Sequence, residues 1–226
     1  MNDLSPPIPR DAAKTDFFAR IRDKAFPCVG AKSALAHDRI RTVHARDLTS
    51  GWNDLQIHDA LLDWADGEFE DSEFRSLAVI FERPRDLDEE EFEERMWQRL
   101  QSLVDKDAWR GQKLDPKVGA DPSRPDFSLS FGGQAFFVVG LHPNASRPAR
   151  RFDRPILVFN LHAQFEWLRA EGRYERMREA ILERDLKLAG SINPMLARHG
   201  ESSEARQYSG RVVDEDWKCP LKDPRS

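Results

Sequence analysis

Short apolar runs typical of buried strands constrain the fold of this chain more than any other feature of its sequence. Residues 76–81 and 156–159 have the length and the β-branched and aromatic content of such strands. Residues 127–131 and 134–141 flank Gly132-Gly133, a pattern that predicts a hairpin. The sequence therefore predicts a sheet that contains at least one antiparallel pair.

Segments with helical spacing of apolar residues lie between these strands. The spacing extends over residues 17–25, 57–65, 92–104 and 174–188, whereas residues 40–48 alternate weakly and predict one more strand. Strands and helices do not alternate as regular βαβ units. We therefore expect an α+β fold, with a mainly antiparallel sheet flanked by helices.

The length of 226 residues fits a single domain. A polar, proline-interrupted start predicts a flexible arm over residues 1–13, followed by one domain over residues 14–226. The polar tail, residues 191–226, includes Tyr208 and Trp217, which are unusual in a purely solvated segment. We expect this tail to pack back over the functional site.

Composition argues against several classes of partner. The formal net charge is −5 and the pI is about 5.7, which does not favour nucleic acid or acidic membranes. We find no apolar run of membrane-spanning length and no apolar signal core at the start. Cys28 and Cys219 lie far apart and form no C-x-x-C pattern. These features lead us to expect a cytoplasmic protein.

Two histidines follow predicted strands, where loops commonly place functional groups on a rigid scaffold. His142 comes directly after the strand 134–141. His162 lies near the start of a helix predicted over residues 160–169, with Glu166 one turn further on the same face. This spacing suits a metal-binding imidazole with a nearby carboxylate, and it suits an ordinary surface pair, which is more frequent.

Four arginines form a basic cluster in an otherwise acidic chain: Arg147, Arg150, Arg151 and Arg154. Guanidinium groups match carboxylate or phosphate geometry, so this loop could hold an anionic group. A solvated loop that balances the surrounding acids explains the cluster equally well.

The motif Cys28-Val29-Gly30 stands at a turn before a predicted helical segment. Locally it resembles the thiolate–haem loop of cytochromes P450, in which amides at a helix start stabilise the thiolate. A buried structural cysteine is the more common role. The sequence has no G-x-G-x-x-G, P-loop, G-x-S-x-G or H-E-x-x-H motif, which argues against nucleotide-binding oxidoreductases and P-loop enzymes.

Several blocks in order along the chain resemble the YqcI/YcgG family. They include Phe26-Pro27-Cys28, Gly140-Leu141-His142-Pro143 and Trp217-Lys218-Cys219-Pro220, together with residues 149–152, 158–166, 192–195 and 203–211. The resemblance implies a haem protein, since similar members N-hydroxylate arginine or related guanidines in natural-product biosynthesis. Without C-x-x-C-H, the haem b would be bound non-covalently. The expected enzyme is thus a haem-dependent monooxygenase that uses O₂.

The resemblance does not say which residue binds the haem iron. We expect His162 as the axial ligand, then His142, then Cys28; His58 is a further candidate that packing explains better. If the strands 134–141 and 156–159 pair directly and antiparallel, the histidines following them lie at opposite ends of the sheet. They would then not share one site.

A guanidino substrate needs carboxylate partners, for which Glu166, Glu201 and Glu204 are the candidates. Its own carboxylate, or the haem propionates, would bind arginines: Arg147, Arg150, Arg151 or Arg206. Asn193 and Tyr208 complete the predicted substrate site. Electrons would come from a separate redox partner or from peroxide.

Two alternative functions remain open from the sequence. One is a haem-binding or haem-sensing protein without turnover. The other is a non-haem protein that binds anions or nucleotides through the arginine-rich loop.

Overall fold

A computed structural model describes residues 10–67, 74–195 and 202–225. Over these residues the strands form one five-stranded sheet in the order β1-β2-β5-β4-β3. The strands are β1 (Ile40–Asp47), β2 (Ser76–Arg83), β3 (Leu129–Phe131), β4 (Gln134–Leu141) and β5 (Ile156–Leu161). β1 and β2 are parallel, and every other neighbouring pair is antiparallel. The predicted α+β fold with a mainly antiparallel sheet is confirmed.

Seven helices accompany this sheet within the described residues. They are α1 (Arg10–Arg22), α2 (Val29–Ala36), α3 (Asp54–Ala65), α4 (Glu89–Trp109), α5 (His162–Ala170), α6 (Tyr174–Ala189) and α7 (Ala205–Tyr208). α1 begins at Arg10, so the last residues of the predicted flexible arm are helical; residues 1–9 lie outside the described part of the chain. None of the described helices has the length and apolar character needed to cross a membrane.

The predicted hairpin joins β3 to β4 through Gly132 and Gly133, which have φ angles of 58° and 76°. Both angles lie in the left-handed region that glycine adopts without strain, and two such residues form the tight turn favoured by hairpins. A Cβ at Gly132 would also come within 2.9 Å of Leu62 on α3. The glycine pair therefore sets the turn and lets α3 approach it closely.

The sheet is covered on both faces, which explains why β2 reads as a continuous apolar run. Successive side chains of a strand point to opposite faces. Leu77 and Val79 pack against α3 and α4 in one cluster, whereas Ala78 and Ile80 pack with α1 and α2 in a second cluster. A functional cavity opens on this second face.

Buried polar contacts hold the end of the chain on the first face. Asp107 accepts hydrogen bonds from His58 Nε2 at 2.7 Å, from the Gly132 amide and from Arg225 in the tail. His58 therefore packs between α3 and α4 rather than facing an open site. Tyr208 and Leu221 are buried in the same cluster, so the described part of the tail packs on the domain; its expected place over the functional site stays a prediction.

We predict that Asp107→Asn destabilises the fold by about 3 kcal/mol, because it removes the buried carboxylate that accepts from both His58 and Arg225. Urea unfolding monitored by tryptophan fluorescence measures this loss. Asp105→Asn is the matched control, since Asp105 is exposed on the same helix. Equal stability of the two variants would show that the Asp107 cluster does not hold the tail.

Candidate functional site

A cavity of about 280 Å³ lies on the second face of the sheet. Its floor is formed by β4 and β5, with Phe137, Val139 and Val158 among the lining residues, and α1, α2 and α6 enclose it. The volume is close to the lower end of the range for small-molecule sites, and most of the lining is apolar. Polar side chains also line it, among them four arginines and the acids Asp185 and Glu204, and these groups determine what the cavity can bind.

Cys28 is the first of these polar groups and caps the N-terminus of α2. Its Sγ accepts a hydrogen bond from the Ala31 amide at 3.4 Å. Burial raises the pKa of the thiol, whereas the helix amides and the positive charge of Arg150 favour the thiolate. A bound metal ion deprotonates a coordinating thiol outright. Cys28 is therefore a buried thiol at a helix N-terminus whose pKa is raised overall by burial.

His162 is the second polar group and begins α5 directly after β5. Its side chain is buried between two carboxylates, with Nδ1 3.7 Å from Glu166 Oε1 and Nε2 3.7 Å from Glu204 Oε2. Both ring nitrogens thus face negatively charged or proton-bearing oxygens. At 3.7 Å neither contact is a direct hydrogen bond, so the imidazole lies within ion-pair distance of two carboxyl groups.

Glu204 comes from the tail and lines the same cavity. Its Oε1 accepts hydrogen bonds from Ser128 Oγ at 2.7 Å and from the Tyr208 hydroxyl. Burial raises the pKa of Glu204 to about 7, although both hydroxyls favour the anion. The same burial and the adjacent Glu204 raise the pKa of Tyr208 well above its usual value. A carboxyl group that titrates near neutral pH therefore meets an imidazole in an apolar cavity.

The arginine-rich loop contributes two of its four cations to the cavity. Arg147 lines it and forms a buried ion pair with Asp185 of α6. Arg150 also lines it and donates to the carbonyls of Gly140, Gln207 and Tyr208, while burial lowers its pKa to about 10.

The other two arginines point elsewhere. Arg151 donates to the carbonyl of Ala145 and Arg154 pairs with Asp153, and neither residue lines the cavity. The expected role of Arg151 in cofactor binding is corrected accordingly, because its guanidinium group is engaged within its own loop.

His142 does not belong to this site. β4 and β5 pair directly and antiparallel, so the residues that follow them lie at opposite ends of the sheet. His142 is 1% exposed and stacks on Phe92, with ring centroids 4.2 Å apart. Its expected place beside His162 is therefore wrong, because the strand register separates the two side chains.

The remaining predicted residues divide between the cavity and its surroundings. Asn193 lines the cavity, and Tyr208 lies behind Glu204. Glu166 is half exposed and pairs with Arg169. Arg206 donates to backbone carbonyls of residues 213–217, which corrects its expected role as a substrate ligand. Glu201 lies outside the described residues.

Sequence patterns missed two residues of the site. Asp185 follows Met177 and Ile181 at four-residue spacing, so an acid on the apolar face of α6 was a readable signal. Ser128 gave no local signal, because its contact with Glu204 joins residues 76 positions apart. Among the described residues, no three His, Cys, Asp or Glu side chains come together in a metal-binding group.

Because the pKa of His142 is lowered to about 4 by burial, its protonation should destabilise the fold in acid. The unfolded chain takes up the proton near pH 6.5 and the folded chain only near pH 4, so stability present above pH 6.5 is lost as the pH falls. We predict that wild type loses about 2 kcal/mol more than His142→Phe between pH 7.5 and 5, as measured by urea unfolding.

The exposed His37 provides a control for this prediction, since His37→Gln should keep the full acid-dependent loss. If His142→Phe follows the same pH profile as wild type, His142 is not the group that lowers stability in acid.

Comparisons with known proteins confirm the resemblance to the YqcI/YcgG family. The sequence model of the YqcI/YcgG family matches residues 17–222. The uncharacterized protein YcgG of Bacillus subtilis (strain 168) is 24% identical over 206 residues, which cover 87% of this chain and 80% of that relative. No solved structure matches the chain.

Proposed function

This chain belongs to the YqcI/YcgG family, and we propose that it is a haem-dependent N-hydroxylase of a guanidino compound such as arginine. The observation that carries the proposal is one apolar cavity lined by Cys28, by His162 and by the buried carboxyl of Glu204. Such a cavity offers an iron ligand, a proton-transferring pair and an acceptor for a cationic group.

The lining fits haem in its chemistry. Aromatic and aliphatic residues of the sheet, α1 and α6 match the apolar faces of a porphyrin. Cys28 supplies a thiol at a helix N-terminus, and Arg147 and Arg150 supply cations that would balance the propionates. Haem iron needs one protein ligand and an open position, so a cluster of several ligands is not required.

We propose Cys28 as the iron ligand in preference to His162, the ligand first expected. Both nitrogens of His162 face carboxyl oxygens at 3.7 Å, so binding the iron through Nε2 would require Glu204 to move. The Cys28 sulfur accepts from the Ala31 amide at 3.4 Å, beside the Gly30 amide. That contact favours the thiolate rather than competing with a metal.

N-hydroxylation inserts one oxygen atom of O₂ into an N–H bond and releases the other as water, with two electrons and two protons consumed. Bound haem would supply the binding and reduction of O₂. Glu204 would accept a hydrogen bond from the guanidinium, and the His162–Glu204 pair would hold and deliver protons inside the cavity. The apolar walls would exclude bulk water from the reacting nitrogen.

The electrons would come from a separate redox protein or from peroxide, since we find no flavin or nicotinamide motif. A reducing cytoplasm suits a mechanism that depends on a free Cys28. The anion-binding alternative has less support, because two of the four loop arginines, Arg151 and Arg154, do not line the cavity.

Visible spectra of the protein expressed with a haem precursor test the ligand. We predict a Soret band for wild type and for Cys219→Ser, and a changed or lost band for Cys28→Ser, because only Cys28 lines the cavity. Reduction under carbon monoxide should give the red-shifted band of thiolate-bound haem in wild type and not in Cys28→Ser.

A band that survives in Cys28→Ser and disappears in His162→Ala would reverse the ligand assignment. A Soret band that does not respond to arginine would favour haem binding without turnover. A wild-type protein that cannot be loaded with haem would overturn the enzymatic proposal.

A further inference from the structure

The two oxygens of Glu204 lie in different surroundings. Oε1 accepts from both Ser128 and Tyr208, whose side chains are buried. Oε2 faces His162 at 3.7 Å, and both residues line the cavity. Because a carboxylate oxygen accepts about two hydrogen bonds, Oε1 is filled and an incoming donor can reach only Oε2.

The two hydroxyls can follow a change in the charge of Glu204. Ser128 Oγ and Tyr208 Oη each lie within hydrogen-bond distance of a second acceptor, the carbonyl oxygen of Phe136, at 3.1 and 3.2 Å. Each hydroxyl has one proton to donate. Both protons can point to Oε1 when Glu204 is an anion, and one can turn to Phe136 when Glu204 is neutral.

Glu204 is therefore built to exist in two charge states. The charged and titratable groups that face it are His162, Glu166 and Arg169 on α5 and Tyr208 on α7. Arg169 is paired with Glu166, so its charge is partly balanced, and burial is the largest influence on Glu204. Near neutral pH the empty site holds a mixture of neutral and anionic carboxyl, with a pKa of about 7.

We propose that a guanidinium group binds through Oε2 of Glu204 alone and expels the carboxyl proton to solvent as it binds. The carboxyl O–H bond breaks, its proton goes to solvent, and an N–H···O⁻ hydrogen bond forms in its place, so the guanidinium charge is balanced by the carboxylate. This rests on the proposed function in taking a guanidino compound as the ligand.

Binding through one oxygen has a consequence for the reaction. A carboxylate with both oxygens free binds guanidinium through two parallel N–H bonds and so engages two nitrogens. At this site the carboxylate accepts a hydrogen bond through Oε2 alone, so another terminal nitrogen of the guanidinium makes no hydrogen bond with Glu204. Ser128 and Tyr208 are thus positioning residues that select the bound orientation through Glu204.

Calorimetric titration with arginine in buffers of different ionisation enthalpy tests the proposal on the full chain, with and without haem. At pH 6.5 the wild type should release a proton on binding arginine. Its Kd should rise about tenfold per pH unit below pH 6 and level off above pH 8, because only the anion binds the guanidinium.

Three variants test whether Glu204 is the group that loses the proton. Glu204→Gln should abolish both the proton release and the pH dependence of Kd. Tyr208→Phe removes one donor to Oε1, so it should move the midpoint of the Kd profile to higher pH, an effect that loss of packing alone would not give. Glu166→Gln, the other carboxyl beside His162, should keep the proton release.

Arginine binding at pH 6.5 without proton release, or with release that persists in Glu204→Gln, would overturn this inference. A protein that hydroxylates arginine yet releases no proton on binding fails this inference and keeps the proposed function. A colourless protein that releases a proton through Glu204 supports the inference and fails the haem proposal.

Discussion

β4 and β5 pair antiparallel, with Phe136 opposite Leu161 and Leu141 opposite Ile156, and the location of the site follows from this register. It places His162, the residue after Leu161, next to the strand position of Phe136, whose carbonyl accepts from Ser128 and Tyr208. A one-residue slip of β4 would turn Phe137 and Val139 to the other face and remove their part of the cavity floor. The register is fixed because both faces of the sheet are buried.

The tail supplies Glu204 to the cavity whose floor is formed by the sheet. Glu204 enters the cavity only because residues 202–225 dock on the domain. Glu93 of α4 binds Ser209 and Arg211, and Arg150 holds the carbonyls of Gln207 and Tyr208. Buried charge pairs of this kind specify a position more than they add stability, since desolvation offsets much of their attraction. We infer that the buried polar contacts of the tail serve the placement of Glu204.

Local patterns predicted the parts of the fold that depend on neighbouring residues. The hairpin at Gly132-Gly133, the buried β2 run and the end of α6 at Gly190 were all readable, since each rests on strand periodicity or on a left-handed glycine. The parallel pairing of β1 with β2 and the insertion of β5 between β2 and β4 were not, because they join distant segments. No turn or spacing rule encodes such pairings.

The candidate site likewise combines features that could be read from the local sequence with features that depend on distant contacts. Cys28, His162 and Glu204 were recognisable as chemically capable residues, and the structure brings all three to one cavity. The order of preference between Cys28 and His162 as the proposed iron ligand could not be predicted, because it depends on the carboxyl oxygens that flank His162 in space. His142 looked equivalent to His162 in sequence and differs from it only through the strand register.

Turnover of arginine under isotopically labelled O₂ tests whether this protein is a haem-dependent arginine N-hydroxylase. The haem-loaded protein is supplied with a reductase or with a chemical reductant, and the product is analysed by mass spectrometry. A monooxygenase reaction predicts N-hydroxyarginine that carries one labelled oxygen atom on a guanidino nitrogen. Arginine recovered unchanged from a haem-loaded, reducible protein, or a product without the label, would contradict it.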